Sequence, residues 1–166
     1  MTKKQASDKQ EKLVAKTLGW RQVKGSGARP NHPGDVIGAE WLGECKTHVD
    51  ADHKVHFAKD IWDKIAEEAD SRFKSPAYFS DDGSQTEDKT WVIFRERYLP
   101  DDIDVKPYPE NLKSSINFYA YELKQAYNTI DDIVFVFTFD TVKDDFMSQR
   151  HKLYLTKLTT FSEIIV

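Results

Sequence analysis

The chain has 166 residues, 39% of them hydrophobic, which is enough to bury the core of one domain. No apolar run approaches the length of a membrane span, the polar N-terminus lacks an apolar signal region, and the single cysteine excludes an internal disulfide, so we expect a soluble cytoplasmic protein. The net charge of −4 argues against a nucleic-acid partner, but the distribution of charge changes this. Residues 1–60 hold 11 Lys and Arg against 8 Asp and Glu, whereas residues 61–166 hold 13 against 20, so the basic excess lies in the first part of the chain.

The first predicted element is a helix that begins after Ser7 and runs to about residue 18. Ser7 is a suitable N-cap, Gln10 can complete a capping box, and Gly19 is expected to end the helix. Glu11 shares a helix face with the apolar residues three, four and seven positions after it. An edge-of-core glutamate paired with a lysine would explain this position, but the residues that follow favour a role in an acidic site.

A short strand at residues 20–24 leads into a loop at residues 25–34 that contains three glycines and two prolines. Such a loop is often a simple connection. Here it would expose backbone N–H groups, the Ser26 hydroxyl and the Arg29 guanidinium, which are donors suited to phosphate oxygens. We predict that Lys24 and Arg29 are the main phosphate contacts.

Two strands joined by a tight turn are then predicted to form a hairpin. If residues whose numbers add to 79 are paired, Ile37 lies opposite Leu42 and Asp35 lies opposite Glu44. Because strand side chains alternate, Glu44 and Lys46 leave the same face. Two adjacent carboxylates repel each other unless one is protonated, a cation lies between them, or the register differs.

A divalent cation would explain these residues together. Asp35, Glu44 and the backbone carbonyl of Cys45 offer oxygen ligands to Mg²⁺, which keeps several waters in protein sites, and Mn²⁺ is expected to substitute. Lys46 would lie beside one of those waters and help to orient or deprotonate it for attack on a phosphodiester. Glu11 would contribute a third acid, directly or through water.

The order of these residues resembles the PD-(D/E)XK nuclease superfamily. The run Gly25-Ser26-Gly27 ahead of the acid is similar to the archaeal-type Holliday junction resolvases in particular. The family has a helical Glu, a Gly-Ser-Gly loop, an Asp at a strand start and Glu-X-Lys on the next strand, and these places are filled here by Glu11, Gly25-Ser26-Gly27, Asp35 and Glu44-Cys45-Lys46. One departure is Gly34, which stands directly before the Asp where the family usually has Pro.

This resemblance implies an α/β fold, a mixed α+β sheet with a restriction-endonuclease-like αβββαβ core at about residues 7–99 and a C-terminal elaboration at 100–166, within a single domain. It also implies that Glu11, Asp35, Glu44 and Lys46 are catalytic and that Ser26 lies next to the scissile phosphate. The implied activity is a Mg²⁺-dependent DNA endonuclease, most specifically a resolvase of branched DNA that leaves a 5′-phosphate. Two coordinated cuts in a four-way junction would require a two-fold homodimer.

Two other functions stay open. One is a nuclease of the same chemistry with a restriction-type or other DNA-processing substrate, since substrate choice depends on loops and dimer geometry. The other is a non-catalytic interaction protein built on a nuclease-like core, which the acidic second half of the chain would suit. That acidic half could also face solvent or repel DNA from the wrong surface.

The remaining elements follow in chain order. Three histidines, His48, His53 and His56, are better explained as solvated loop residues than as a zinc site, and His48 is close enough to the motif in sequence to contact DNA. Apolar spacing predicts helices at residues 57–73 and 111–127, a buried strand at 91–94, a last strand at 153–158 and a terminal helix at 160–165. The strongly β-prone run at 133–139 is expected to be a central strand or to lie in a dimer interface. An acidic loop at residues 80–88 is the segment most expected to be disordered, and residues 100–109 are expected to be irregular.

Overall fold

The computed structural model describes residues 1–25, 34–48, 52–95, 99–139 and 152–165. Its α-helices are α1 (Lys3–Leu18), α2 (Lys59–Asp70), α3 (Ala120–Tyr127) and α4 (Leu158–Ile164). Its strands are β1 (Arg21–Gln22), β2 (Val36–Ile37), β3 (Trp41–Lys46), β4 (Val55–Ala58), β5 (Ser75–Asp81), β6 (Thr90–Arg95), β7 (Asp104–Pro107), β8 (Ser115–Phe118), β9 (Ile133–Phe137) and β10 (Leu153–Lys157). The predicted mixed α/β class is confirmed.

One eight-stranded sheet organises the fold, in the order β1-β2-β3-β5-β6-β10-β9-β7. The pairs β3–β5 and β7–β9 are parallel, and the other neighbours are antiparallel. Strands β4 and β8 form a separate antiparallel ribbon. Strands from the first 99 residues and from the C-terminal elaboration therefore share one sheet. Among the described helices, none is both long enough and apolar enough to cross a membrane.

Alternate residues of the central strands face two separate hydrophobic clusters. On β5, Phe79 packs in the cluster that holds side chains of α1 and α4, whereas Tyr78 packs in the cluster that holds side chains of α2 and the β4–β8 ribbon. Each fully buried large apolar side chain contributes roughly 1.5–3 kcal/mol relative to an exposed one. The sheet is thus covered on both faces, which leaves its edges and strand ends as places for polar side chains.

Helix α1 begins five residues earlier than the sequence predicted, at Lys3. Thr2 is the N-cap and completes a capping box with Gln5, which is the same spacing as the expected Ser7 and Gln10 pair. Gln10 instead lies buried, so it was unavailable to cap an exposed helix end. The predicted end is confirmed, because Gly19 adopts the left-handed conformation with a φ of 68°.

The sequence analysis did not predict two strands in the first half of the chain, β4 and β5. Phe57, expected at the start of a helix, lies in β4, and Phe73, expected on the apolar helix face, has 97% of its surface exposed. Strand β5 was missed because six of its seven residues are buried and it therefore shows no alternation. The expectation that residues 80–88 are disordered is also wrong. Residues 80 and 81 belong to β5, and the Gln85 N–H donates to the buried Asp81.

The C-terminal half matches the sequence prediction more closely. Strands β6, β9 and β10 and helix α4 lie where three strands and a terminal helix were predicted. Of the two expectations for residues 133–139, the structure shows a strand inside the sheet, because β9 lies between β10 and β7. The helix expected at 111–127 is wrong in its first part, which forms β8, because Ile116 and Phe118 alternate with Asn117 to bury one face of the ribbon. Residues 104–107 form the edge strand β7 within the segment expected to be irregular.

Candidate active site

The predicted hairpin register is confirmed for the residues that pair, since Val36 lies opposite Gly43 and Ile37 opposite Leu42. The Asp35 N–H donates to the Gly43 carbonyl at 2.7 Å, so Asp35 and Val36 both face Gly43. Two residues facing one is the arrangement of a β-bulge. The expectation that Asp35 lies directly opposite Glu44 is therefore wrong, because the regular pairing ends at Val36.

The bulge turns the Asp35 side chain along the edge of β3. Its Oδ2 accepts a hydrogen bond from the Cys45 N–H at 2.8 Å. Gly34, directly before it, has a φ of 71°, and a Cβ there would lie 2.8 Å from Leu42 Cδ1. A left-handed residue pressed against another side chain requires glycine. The glycine that departs from the family pattern is thus what allows Asp35 to reach the strand edge.

Glu44 and Lys46 leave the same face of β3, as predicted, and their Oε1 and Nζ atoms are 3.0 Å apart. The side chains are 16% and 41% exposed, respectively. Burial raises the pKa of the Glu44 carboxyl, the charge of Asp35 raises it further, and Lys46 opposes both. Burial disfavours the charged form of Lys46, but the Glu44 charge and hydrogen bond outweigh it and raise the pKa of Lys46. Lys46 is therefore a stable cation beside an acid that protonates more readily than usual.

Cys45 lies at the centre of these groups. Its thiol points to the α1 side of the sheet and is buried. Burial raises the pKa of this thiol, the negative charges of Asp35, Glu11 and Glu44 raise it further, and Lys46 opposes them. Because the N–H and C=O of one strand residue point to the same side, the Cys45 carbonyl leaves the edge that faces Asp35. All four predicted catalytic side chains thus lie within electrostatic range of one residue.

Glu11 reaches this region from α1. Its carboxylate accepts hydrogen bonds from Ser7 Oγ at 3.0 Å and from Gln22 Nε2 at 2.8 Å. Burial raises the pKa of Glu11, the Gln22 hydrogen bond opposes this, and the charge of Asp35 adds to it. Gln22 was missed by the sequence analysis. No local sequence pattern indicates that Gln22 belongs to the site, because its position follows from the pairing of Gln22 with Val36, next to Asp35.

The donor set fits a hard divalent cation in part. Asp35 Oδ2 and the Cys45 carbonyl lie at the edge of β3, and the Glu44 carboxylate, on a face of the same strand, is near enough for the Asp35 charge to add to the rise that burial causes in its pKa. Mg²⁺ is commonly held by one or two carboxylates together with water. Across the described residues, no group of three His, Cys, Asp or Glu side chains is close enough to hold a metal ion. A direct bond from Glu11 to the same ion therefore stays a prediction, as does contact through water.

The predicted DNA contacts are only partly described. Lys24 is exposed in the turn after β1, whereas Ser26 and Arg29 lie outside the described residues. His48 is half-buried, and its ring centroid is 5.5 Å from that of His56. His56 belongs to β4, so the expectation that it is a loop residue is wrong. His48 lies outside any helix or strand, and His53 is an exposed loop residue, as expected.

A buried polar network behind the site was also missed. The fully buried Asp81 accepts hydrogen bonds from Thr47 Oγ1 at 2.8 Å and from the Gln85 N–H at 2.7 Å. Burial raises the pKa of Asp81, and these hydrogen bonds oppose the shift. Thr47 directly follows Lys46, so this network fixes the end of β3. The sequence analysis placed Asp81 in the acidic loop at residues 80–88, whereas it is the last residue of β5.

Comparison with known proteins found no protein-family model, no curated protein and no solved structure that matches this chain. Membership of a nuclease family is therefore a proposal that rests on the residues of the site and their geometry.

Proposed function

We propose that this chain is a Mg²⁺-dependent DNA endonuclease and that its substrate is branched DNA such as a four-way junction. The observation that supports this best is the grouping of Asp35, Glu44 and Lys46 around Cys45 of β3. The charges of Asp35 and Glu44 repel each other, and the ion pair with Lys46 does not fully offset the burial of Glu44 and this repulsion, so the pKa of Glu44 stays raised. Two acids beside a cationic amine are favourable for a site that binds a cation and a phosphate.

The chain offers distinct residues for the metal and for the nucleophile. Asp35, Glu44 and the Cys45 carbonyl would hold Mg²⁺, with Glu11 acting directly or through water. When bound, Mg²⁺ neutralises charge on the scissile phosphate and lowers the pKa of a bound water. The hydrogen bond from the Cys45 N–H to Asp35 holds one carboxylate in place before the ion arrives, which reduces the ordering needed on binding.

Lys46 would act on the attacking water and the phosphate. An ammonium has three N–H donors, and the structure shows one of them directed at Glu44 Oε1. The others can hold the attacking oxygen and a phosphate oxygen. Because Glu44 raises the pKa of Lys46, the ammonium form is retained at neutral pH. Its proposed role is therefore to orient and stabilise charge, which suits an in-line displacement that leaves a 5′-phosphate.

The junction preference is the finer part of the proposal. Resolution of a four-way junction requires two cuts in strands of like polarity, which a two-fold homodimer would provide. A restriction-type or other processing nuclease would use the same site on a different DNA. A panel of duplex, single-stranded, flap and four-way DNA at matched salt distinguishes these, and preference for plain duplex would contradict the junction assignment.

The catalytic test compares two lysines in similar strand positions. Lys46 pairs with Glu44, and Lys106 pairs with Asp104 at 3.5 Å, each across two residues of a strand in the same sheet. Lys106→Ala lies on the far edge strand and should leave cleavage unchanged. Lys46→Ala should reduce Mg²⁺-dependent cleavage by about 10²-fold or more. Both variants are to be checked for folding by circular dichroism.

Two outcomes would contradict the assignment. Cleavage by Lys46→Ala equal to that of the parent would remove Lys46 from the chemistry. A folded parent that binds DNA but cleaves none of the four substrates with Mg²⁺ or Mn²⁺ would instead support the non-catalytic alternative.

A further inference from the structure

The β4–β8 ribbon has one buried face and one accessible face. Val55 and Phe57 of β4 are buried against the sheet, as are the residues of β8 that alternate in the same way. The opposite face carries His56 and, on β8, Asn117, which lies across from it in the register. Lys54 and Tyr119 continue this face at the end of the ribbon. We call this set, Lys54, His56, Asn117, Tyr119 and the adjoining Tyr121, the ribbon face.

An aromatic platform lies at one end of the ribbon face. The rings of Tyr119 and Tyr121 are stacked, with centroids 5.2 Å apart and an angle of 13° between their planes. Lys54 Nζ lies 5.2 Å from the centroid of the Tyr119 ring. Tyr121 is 57% exposed, so much of its ring stays accessible beside its stacking partner. An exposed ring beside a cation is the combination that binds a nucleobase and its phosphate.

The other end of the ribbon face connects to the proposed active site. His48, two residues after Lys46, contacts His56 with a centroid separation of 5.5 Å. Within the described residues, His48 Nε2 is a buried atom without a hydrogen-bond partner, as is Oγ of the fully buried Ser80, which lies across from Lys46 in the sheet. Polar side chains therefore follow one another from Lys46 through the half-buried His48 and His56 to the tyrosine platform.

We propose that the ribbon face binds an unpaired DNA strand and guides it to Lys46, with a base stacked on Tyr121. This inference rests on the proposed nuclease function and, because the strands of a four-way junction are fully paired, it favours branched DNA with a single-stranded arm, such as a flap, over the four-way junction. The stacked base is expected to contact the exposed ring of Tyr121. Lys54 is expected to contact a phosphate, and His48 to contact the strand nearest Lys46.

The acidic groups near the platform favour a single strand over duplex. Asp52 accepts a hydrogen bond from the Tyr119 hydroxyl at 2.9 Å, and Glu122 accepts one from the Tyr119 N–H at 2.9 Å. These carboxylates would repel the dense phosphates of duplex DNA. A single strand binds largely through its bases, and base stacking on an aromatic ring tolerates a modest local charge.

The test measures binding to two labelled DNAs by fluorescence anisotropy, without divalent metal so that no cleavage occurs. One is a blunt duplex, and the other is the same duplex with an unpaired arm of about ten nucleotides, within the range of site sizes for single-strand binding. Tyr121→Ala should weaken binding of the armed DNA by about tenfold and leave blunt-duplex binding unchanged. Tyr121→Phe should bind like the parent, because stacking uses the ring.

Phe73→Ala is the matched control. Phe73 is an aromatic residue with 97% of its surface exposed, and it precedes β5 at the end of the sheet where β3 begins, away from Lys46. This variant should bind both DNAs like the parent. Equal loss on the two DNAs in Tyr121→Ala, or no loss on either, would overturn the inference.

The outcomes also separate this inference from the proposed function. If Lys46→Ala loses cleavage while Tyr121→Ala binds the armed DNA like the parent, the ribbon inference fails and the nuclease assignment stands. If Tyr121→Ala loses armed-DNA binding while the parent cleaves no DNA with Mg²⁺, the ribbon inference stands as a binding site and the nuclease assignment fails.

Discussion

The backbone N–H of Cys45 donates to Oδ2 of Asp35 at 2.8 Å. Asp35 directly precedes β2, and this bond lies beside the part of β3 that continues beyond its pairing with β2. Asp35 thus has a structural role in addition to its proposed metal-binding role. It satisfies a backbone donor on the strand that carries Glu44 and Lys46. The two roles depend on different properties of the side chain, because the hydrogen bond needs an oxygen acceptor and the metal needs a negative charge.

Two substitutions of Asp35 should separate these roles. Asp35→Asn retains an acceptor for Cys45 but removes the charge that raises the pKa of Glu11 and Glu44. We expect it to lose Mg²⁺-dependent cleavage and to be as stable as the metal-free parent or more stable by up to about 1 kcal/mol, the size of a like-charge cross-strand term. Asp35→Ala should also lose cleavage but be destabilised by about 1–3 kcal/mol, because the Cys45 N–H loses its acceptor. Urea denaturation without metal measures both, and equal stability of the two variants would contradict the structural role.

The raised pKa values of Glu11 and Glu44 predict how stability depends on pH. Burial is the main cause in both cases, so the folded protein binds protons more readily than the unfolded chain, whose glutamates titrate near 4.5. The free energy of unfolding contributed by these groups is therefore fully present below that pH and is lost as pH rises through the folded-state pKa. Glu44→Gln should gain stability relative to the metal-free parent as pH rises across this window. Thermal denaturation of both proteins over the acid-to-neutral range checks the sign, and a constant difference would contradict it.

Addition of Mg²⁺ should reverse this trend. Metal binding requires deprotonated carboxylates, so protons compete with the ion. We expect Mg²⁺ to raise the midpoint of thermal denaturation at neutral pH and to have little effect near the ordinary glutamate pKa. Asp35→Asn, which keeps the hydrogen bond but not the charge, should show a smaller increase at neutral pH. An equal increase in parent and variant would indicate that the ion binds elsewhere.

Local sequence patterns predicted the part of the site that lies on one hairpin. The alternation of β3 placed Glu44 and Lys46 on one face, and the register that pairs Ile37 with Leu42 followed from the short turn. The turned Asp35 could not be predicted, because it depends on the left-handed Gly34 and on a backbone donor ten residues away. Strands β4, β5 and β8 also depend on pairing with residues distant in sequence, which local patterns do not show.

Helical spacing was misleading where strands bury one face. Phe57 and Ile116 fit predicted helices, yet they lie opposite each other in the β4–β8 ribbon. Strand β5 was missed for the opposite reason, since burial on both faces removes the alternation by which a strand is recognised. Residues 75–81 form a strand because they pair with β3 on one side and β6 on the other, and these pairings are not visible in the local sequence.

Asp81 offers a test of the network behind Lys46. Asp81→Ala leaves Thr47 Oγ1 and the Gln85 N–H without their acceptor, so we expect a loss of about 1–3 kcal/mol in the free energy of unfolding. Cleavage should also fall, because Thr47 directly follows Lys46. Asp88 is an exposed acid in the short 3₁₀-helix Glu87–Lys89, and Asp88→Ala should change stability by no more than about 0.5 kcal/mol. Urea denaturation and cleavage rates measure the two effects, and a stable, fully active Asp81→Ala would show that the network does not position Lys46.

Gly43 provides a steric test of the bulge that places Asp35. A Cβ at Gly43 would lie 2.7 Å from Val36 Cγ2 and 2.8 Å from Phe79 Cε2, and the Gly43 carbonyl accepts the Asp35 N–H. Gly43→Ala should therefore push β2 away from β3, reduce stability by about 1–3 kcal/mol and reduce cleavage.

Val36→Ala removes one of the two clashing groups and supplies the control for this steric effect. If the clash is the cause, the double variant should be more stable than the sum of the two single losses predicts, and it should regain part of the cleavage lost in Gly43→Ala. Urea denaturation of the four proteins gives the coupling free energy, and cleavage is compared well below the lowest denaturation midpoint. Additive losses with no recovery of cleavage would show that contact between Val36 and residue 43 does not control the position of Asp35.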